Sequence, residues 1–79
     1  MPVPSGRQPS PSPLAREVSA HIRAVMERDQ VTMQALAKAT GISRTYLSKR
    51  LRDEVPLTLN DVEVISQVLR IPLPKLPDL

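Results

Sequence analysis

Cysteine, tryptophan and phenylalanine are absent from this 79-residue sequence, and Tyr46 is its only aromatic side chain. Without cysteine there is no disulfide and no thiolate ligand for a metal. Without large aromatics, a core has to be assembled from Leu, Ile, Val, Met and Ala, a palette that suits helix packed on helix better than strand on strand. No apolar run approaches the roughly 20 residues that span a bilayer. The N-terminus lacks the apolar stretch of a secretory signal, so the expectation is a soluble, cytoplasmic protein. The length accommodates one domain, with a core small enough to be marginally stable or helped by a partner.

Acidic residues are missing too, but only locally. Between Gln30 and Arg52 the chain carries Lys38, Arg44, Lys49, Arg50 and Arg52 and no acid, although the whole sequence has a net charge of only +3. A one-sign patch in an otherwise balanced chain points to a polyanionic partner; the plainer reading is a solvated face.

Proline is crowded at the start. Residues 1–13 hold five prolines and three serines, with Arg7 the only charge. Such a segment cannot supply a helix with hydrogen bonds, and residues 1–12 read as a flexible Pro/Ser-rich arm ahead of a domain over 13–79. Arg7 either enters a minor groove or belongs to a free tail.

Four helix starts follow. Ser12 is an N-cap with Pro13 at the first helical position, and Leu14, Val18, Ile22, Val25 and Met26 form one apolar stripe of a helix ending near Asp29. Thr32, Ser43 and Thr58 cap three more. Each is bracketed by an apolar pair placed to act as a hydrophobic staple: Val31 with Leu36, Ile42 with Leu47, Leu57 with Val62. Asp61 is positioned to complete a capping box with Thr58. The second helix closes at Thr40 because Gly41 can adopt the left-handed conformation. The third ends at the charged, proline-bearing stretch Arg52–Pro56, and the fourth is expected to turn Leu59, Val62, Ile65, Val68 and Leu69 inward. Pro72, Pro74 and Pro77 stop it; Pro74 could begin one last helical turn. The leucines of the apolar tail either pack back on the first helix or make a dimer contact.

Two short helices joined by a glycine turn, the second basic and free of acid, describe a helix-turn-helix. Ala37 is small where the helices cross, and Leu36, Ile42, Leu47 and Leu51 make the internal face. With Leu47 and Leu51 inward, Thr45, Ser48, Lys49 and Arg52 project from the opposite side at about 100° per residue, with Arg44 on the flank.

Leu36-Ala37, Gly41-Ile42-Ser43-Arg44, Tyr46-Leu47-Ser48 and the stretch Val55-Pro56-Leu57-Thr58-Leu59 resemble the Cro/C1-type (Xre-like) helix-turn-helix family of phage and bacterial regulators, over about residues 14–76. The resemblance implies an all-α, four- to five-helix, lambda-repressor-like DNA-binding domain whose third helix lies in the major groove. Two positions depart from the family pattern. Met33 stands where many members begin the second helix with a Gln, with Gln34 one place later. Arg50, Leu51 and Arg52 stand where an apolar residue, Glu and Arg are common before a Gly.

On this reading Arg44 gives a bidentate contact to guanine, Thr45, Ser48 and Lys49 face bases or backbone, and Arg50 and Arg52 hold phosphates. Ser43 caps the third helix and meets a phosphate, while Thr32 and Gln34 offer a hydroxyl, an amide and free backbone N–H groups to another. Tyr46 either packs against a neighbouring helix or bonds a phosphate through its hydroxyl.

The expected function is sequence-specific duplex-DNA binding by a transcriptional regulator of phage or prophage repressor or Cro-like kind, nucleoid-associated in a bacterial host. The expected partners are an operator and, as an open alternative, a second copy of the chain. No small molecule, cofactor, metal or membrane is expected. A different class, a protein-interaction module of antitoxin-like or adaptor type on the same fold, is the competing reading. An enzyme is not expected: the lone histidine, His21, reads as a helix-surface residue, and no pair of carboxylates stands beside a base.

Overall fold

The computed structural model describes residues 10–72. The proline-rich arm as far as residue 9, Arg7 within it, the last turn expected at Pro74 and the tail leucines from residue 73 onward lie outside the described residues. Among the described residues the chain forms four helices and no strand: α1 (Pro13–Arg28), α2 (Met33–Thr40), α3 (Arg44–Leu51) and α4 (Leu59–Leu69).

Each helix begins where a short polar side chain satisfies an amide that the helix itself leaves without an acceptor. Ser12 accepts from Ala15 N at 3.1 Å, Thr32 from Ala35 N at 3.0 Å, and Ser43 from Tyr46 N at 3.1 Å. Thr58 and Asp61 form a reciprocal capping box, with Asp61 N on Thr58 Oγ1 and Thr58 N on Asp61 Oδ2, both at 3.0 Å. Caps of this kind stabilise a helix by about 0.5–2 kcal/mol each. In a chain with so small a core, they fix the element boundaries.

The core takes side chains from all four helices: Ile22, Val25 and Met26 of α1, Leu36 of α2, Leu47 and Leu51 of α3, and Ile65 and Leu69 of α4. Val31, Ile42 and Leu57, the leading members of the three staple pairs, pack against it. Helices α1 and α2 each contact both α3 and α4. The short α3 is thereby held from below by two leucines that are 0% exposed. Burial of a leucine is worth about 1.5–3 kcal/mol.

Three apolar residues expected inside are not. Leu14 is 70% exposed, Leu59 88% and Val68 37%. The fourth helix faces inward through Asp61, Ile65, Ser66 and Leu69 instead. Hydrogen bonding of the Asp61 carboxylate draws that side of α4 inward, and Leu59, two residues away, is carried about 200° round to the outside. Val68 stays at the edge of the buried stripe. Leu14 keeps the register of the α1 stripe but sits in its first turn, on an apolar cleft between α1 and the start of α4.

Candidate nucleic-acid interface

The turn between α2 and α3 is tightly specified. Gly41 has φ 75° and donates its N–H to Ala37 O at 2.9 Å. The Thr40 hydroxyl donates to Leu36 O at 2.8 Å and accepts from Ile42 N at 3.2 Å. A β-carbon at Gly41 would meet nothing within 4 Å. Glycine is favoured there by its left-handed backbone alone.

From this turn α3 emerges with Leu47 and Leu51 buried, and one strip of side chains is left facing outward. Arg44, Thr45, Ser48, Lys49 and Arg52 line a shallow open depression of ≈ 360 Å³. Arg44, Thr45, Lys49 and Arg52 are exposed and Ser48 is half-buried. Among the described residues, neither Arg44 nor Lys49 has an ion-pair partner. Arg52 reaches Glu54 at 2.7 Å with both side chains largely exposed, and its Nε donates to Ser48 O at 3.3 Å. An exposed pair of this kind is worth only about 0–1 kcal/mol, so a phosphate can compete for the guanidinium.

Neither α2 nor α3 carries an acid in its first turn. Arg44 occupies the first position of α3, where the helix dipole is positive and a cation is disfavoured by about 0.3–1 kcal/mol. Thr32 and Gln34 are exposed at the start of α2. Thr32 serves Ala35 N, and the Met33 and Gln34 amides precede the first hydrogen-bonded turn. Ser43 is exposed but its oxygen is engaged as the α3 cap.

Arg50 does not join this strip. Its side chain is 13% exposed, it donates through Nη1 to Pro56 O, and its guanidinium carbon lies 4.1 Å from the centroid of the Tyr46 ring. The expected phosphate role does not fit that placement: at two residues from Arg52, Arg50 falls about 200° away around the helix, on the side of α4. Tyr46 is half-buried, and its hydroxyl donates to Asp61 Oδ2 at 3.2 Å. The one-turn spacing of Tyr46 and Arg50 was the available sign of this pairing.

A second polar junction carried no comparable sign. Buried Ser19 of α1 places its hydroxyl 2.6 Å from Asp53 Oδ1, and Arg23 lies 3.6 Å from the other carboxylate oxygen while also donating to Leu51 O. Asp53 holds φ 61°, a left-handed conformation tolerated by aspartate. The carbonyl end of α3 is thus tied to α1 through residues 34 apart in sequence. His21 is exposed on α1.

Among the described residues no three metal-ligating side chains cluster, and no helix is long and apolar enough to cross a membrane. No curated protein and no solved structure matches the chain. A family model described as helix-turn-helix matches residues 22–76, which takes in the C-terminal part of α1 and all of α2, the turn, α3 and α4. With that match over more than half its length, and with α3 presented as a cationic outer helix, the chain belongs to the Cro/C1-type (Xre-like) helix-turn-helix family of DNA-binding regulators.

Proposed function

We propose that the chain reads an operator in duplex DNA by laying α3 in the major groove, as a repressor or Cro-like regulator of phage or prophage type. The observation that carries this reading is the outward strip Arg44, Thr45, Ser48, Lys49 and Arg52, rich in donors and empty of acid. Arg44 at the leading end has the reach for a bidentate contact to guanine O6 and N7. Thr45, Ser48 and Lys49 face base edges or the adjoining backbone. Arg52, Ser43, and the α2 start with Thr32 and Gln34 hold phosphates on either side and set the register. The unfavourable placement of Arg44 against its own helix dipole supports a role toward an external anion.

Such a regulator acts by occupying its site and excluding polymerase. Two copies on a palindromic operator would place their α3 helices about one helical turn of DNA apart.

A second reading, a protein-interaction module on the same fold, draws on the apolar cleft between α1 and α4, which Leu14, Val18, Leu57 and the exposed Leu59 line. Fluorescence anisotropy with a mixed pool of duplexes at rising salt separates the two. DNA reading requires binding that weakens steeply, linearly in log salt. Absence of binding at low salt would remove the first reading and leave the second.

A further inference from the structure

Arg50 has the charge of its neighbours on α3 and the opposite surroundings. Its guanidinium is enclosed by the Tyr46 ring, Pro56 O and Asp61, with Nε 3.9 Å from Asp61 Oδ2 and, among the described residues, no hydrogen-bond acceptor for that nitrogen. The same carboxylate oxygen takes the Tyr46 hydroxyl at 3.2 Å and Thr58 N at 3.0 Å. Asp61 is itself only 6% exposed. One carboxylate therefore closes the cap of α4 and fastens the middle of α3 to it.

This arrangement is an expensive way to hold two helices together. Enclosing an ion forfeits its hydration, and well-packed apolar residues in the place of a buried pair are often as stable or more so. What the polar seam adds is direction. Leu47 and Leu51 attach α3 through apolar contacts, which are non-directional and tolerate rotation of the helix about its axis. A planar guanidinium on a ring face, and a phenol aimed at one carboxylate oxygen, do not. The outer surface of a helix lies about 5–6 Å from its axis, so a turn of about 20° moves Arg44 or Lys49 by about 2 Å. Displacement on that scale breaks a hydrogen bond to a base edge but leaves a long side chain within reach of a phosphate.

We propose that Tyr46, Arg50 and Asp61 are positioning residues that fix the rotation of α3 and thereby its discrimination among DNA sequences, without touching DNA. The proposal rests on the reading of α3 as the major-groove helix. It assigns Arg50 to sequence discrimination through the seam rather than to phosphate binding, and it makes the α4 cap part of the reading apparatus.

The test uses the full chain with two probes: a duplex selected for tight binding from a random pool, and a scrambled duplex of the same length. The variants are Tyr46→Phe, which removes one oxygen; Arg50→Met, which keeps length without charge; and Asp61→Asn, which keeps a capping acceptor. Each is measured at several salt concentrations, at a temperature where circular dichroism gives it the wild-type helix content. The ratio of selected to scrambled affinity is expected to fall about tenfold, within the range that one base contact discriminates, with an unchanged salt slope. The double variant Tyr46→Phe/Arg50→Met should fall short of the sum of its single losses, as for groups in one network.

Arg50→Met lowering the salt slope by about one and weakening both duplexes alike would make Arg50 a phosphate contact and overturn the proposal. Variants that melt earlier yet keep the wild-type ratio would reduce the seam to a purely structural role, with the same consequence. Wild-type protein that binds no duplex would instead overturn the underlying DNA reading itself. Tyr46→Phe, the mildest change, supplies the answer should either charge variant fail to fold.

Discussion

Two sides of one eight-residue helix carry arginines of opposite fate. On the outer strip, Arg44 has no partner among the described residues, and Arg52 is 63% exposed beside a glutamate. On the seam with α4, Arg50 is enclosed by a ring, a carbonyl and a carboxylate. The difference is one of position around the helix axis, not of chemistry. A cation on this fold can contact an external anion only where the helix packing leaves it exposed, either unpaired or held by no more than a weak surface pair. Net positive charge counted along α3 therefore overstates its cationic face by one residue.

The contrast can be broken most forcefully at Asp61. Asp61→Ala removes the acceptor of the α4 cap and leaves the Arg50 guanidinium without its carboxylate. A loss of about 2–4 kcal/mol in urea-unfolding stability is expected, and a loss below about 0.5 kcal/mol would mean the seam contributes little. Arg50→Ala should cost about 1–3 kcal/mol, through the vacated contact with Tyr46 and the unpaired Asp61.

The outer strip should behave in the reverse way. Arg44→Ala is expected to leave stability unchanged or slightly raised, because a cation leaves the positive end of α3. It should also lose about 1–3 kcal/mol of discrimination at a single base pair, read from affinities for single-substitution operators. Arg52→Ala should shift stability by no more than about 0.5 kcal/mol and weaken all duplexes alike, with a salt slope lower by about one. If Arg52→Ala destabilised the fold as much as Arg50→Ala, the division between the two sides would be lost.

The smallest effect belongs to an ion pair outside both regions. Arg28 hydrogen-bonds the Asp29 carboxylate and holds it below the usual aspartate range. A depressed carboxyl stabilises the fold above its unfolded-state pKa, and that contribution disappears as pH falls through the folded-state pKa. Both side chains lie at the surface, so Asp29→Asn should leave acid-unfolding curves nearly superimposed on wild type.

Much of this architecture was legible because local chemistry decided it. Ser12, Thr32, Ser43 and Thr58 each cap a helix through an amide three residues on, and Gly41 closes α2 with a positive φ. Caps and turns depend on neighbours in sequence, so sequence reveals them. The outer strip of α3 followed from the same kind of argument, since fixing Leu47 and Leu51 inside fixes the opposite face.

The readings that missed depended on distant partners. Nothing near Arg50 in sequence announces that Asp61 will lie beside it. The apolar pattern of α4 favoured an inward Leu59 until Asp61 took the inner side. Asp53 looked like a charged helix end, yet its contact with Ser19 and Arg23 joins segments on opposite sides of the helix-turn-helix. Long-range polar pairs have no periodicity, and a count of apolar residues does not weigh them.

Backbone amide chemical-shift mapping on addition of a selected duplex shows which face of the bundle meets DNA. With α3 in the major groove, the perturbed amides should cluster at Thr32–Gln34 and Ser43–Arg52, while those lining the apolar cleft near Leu14 and Leu59 stay in place. Shifts concentrated at that cleft, with Thr45 and Lys49 unmoved, would contradict that placement.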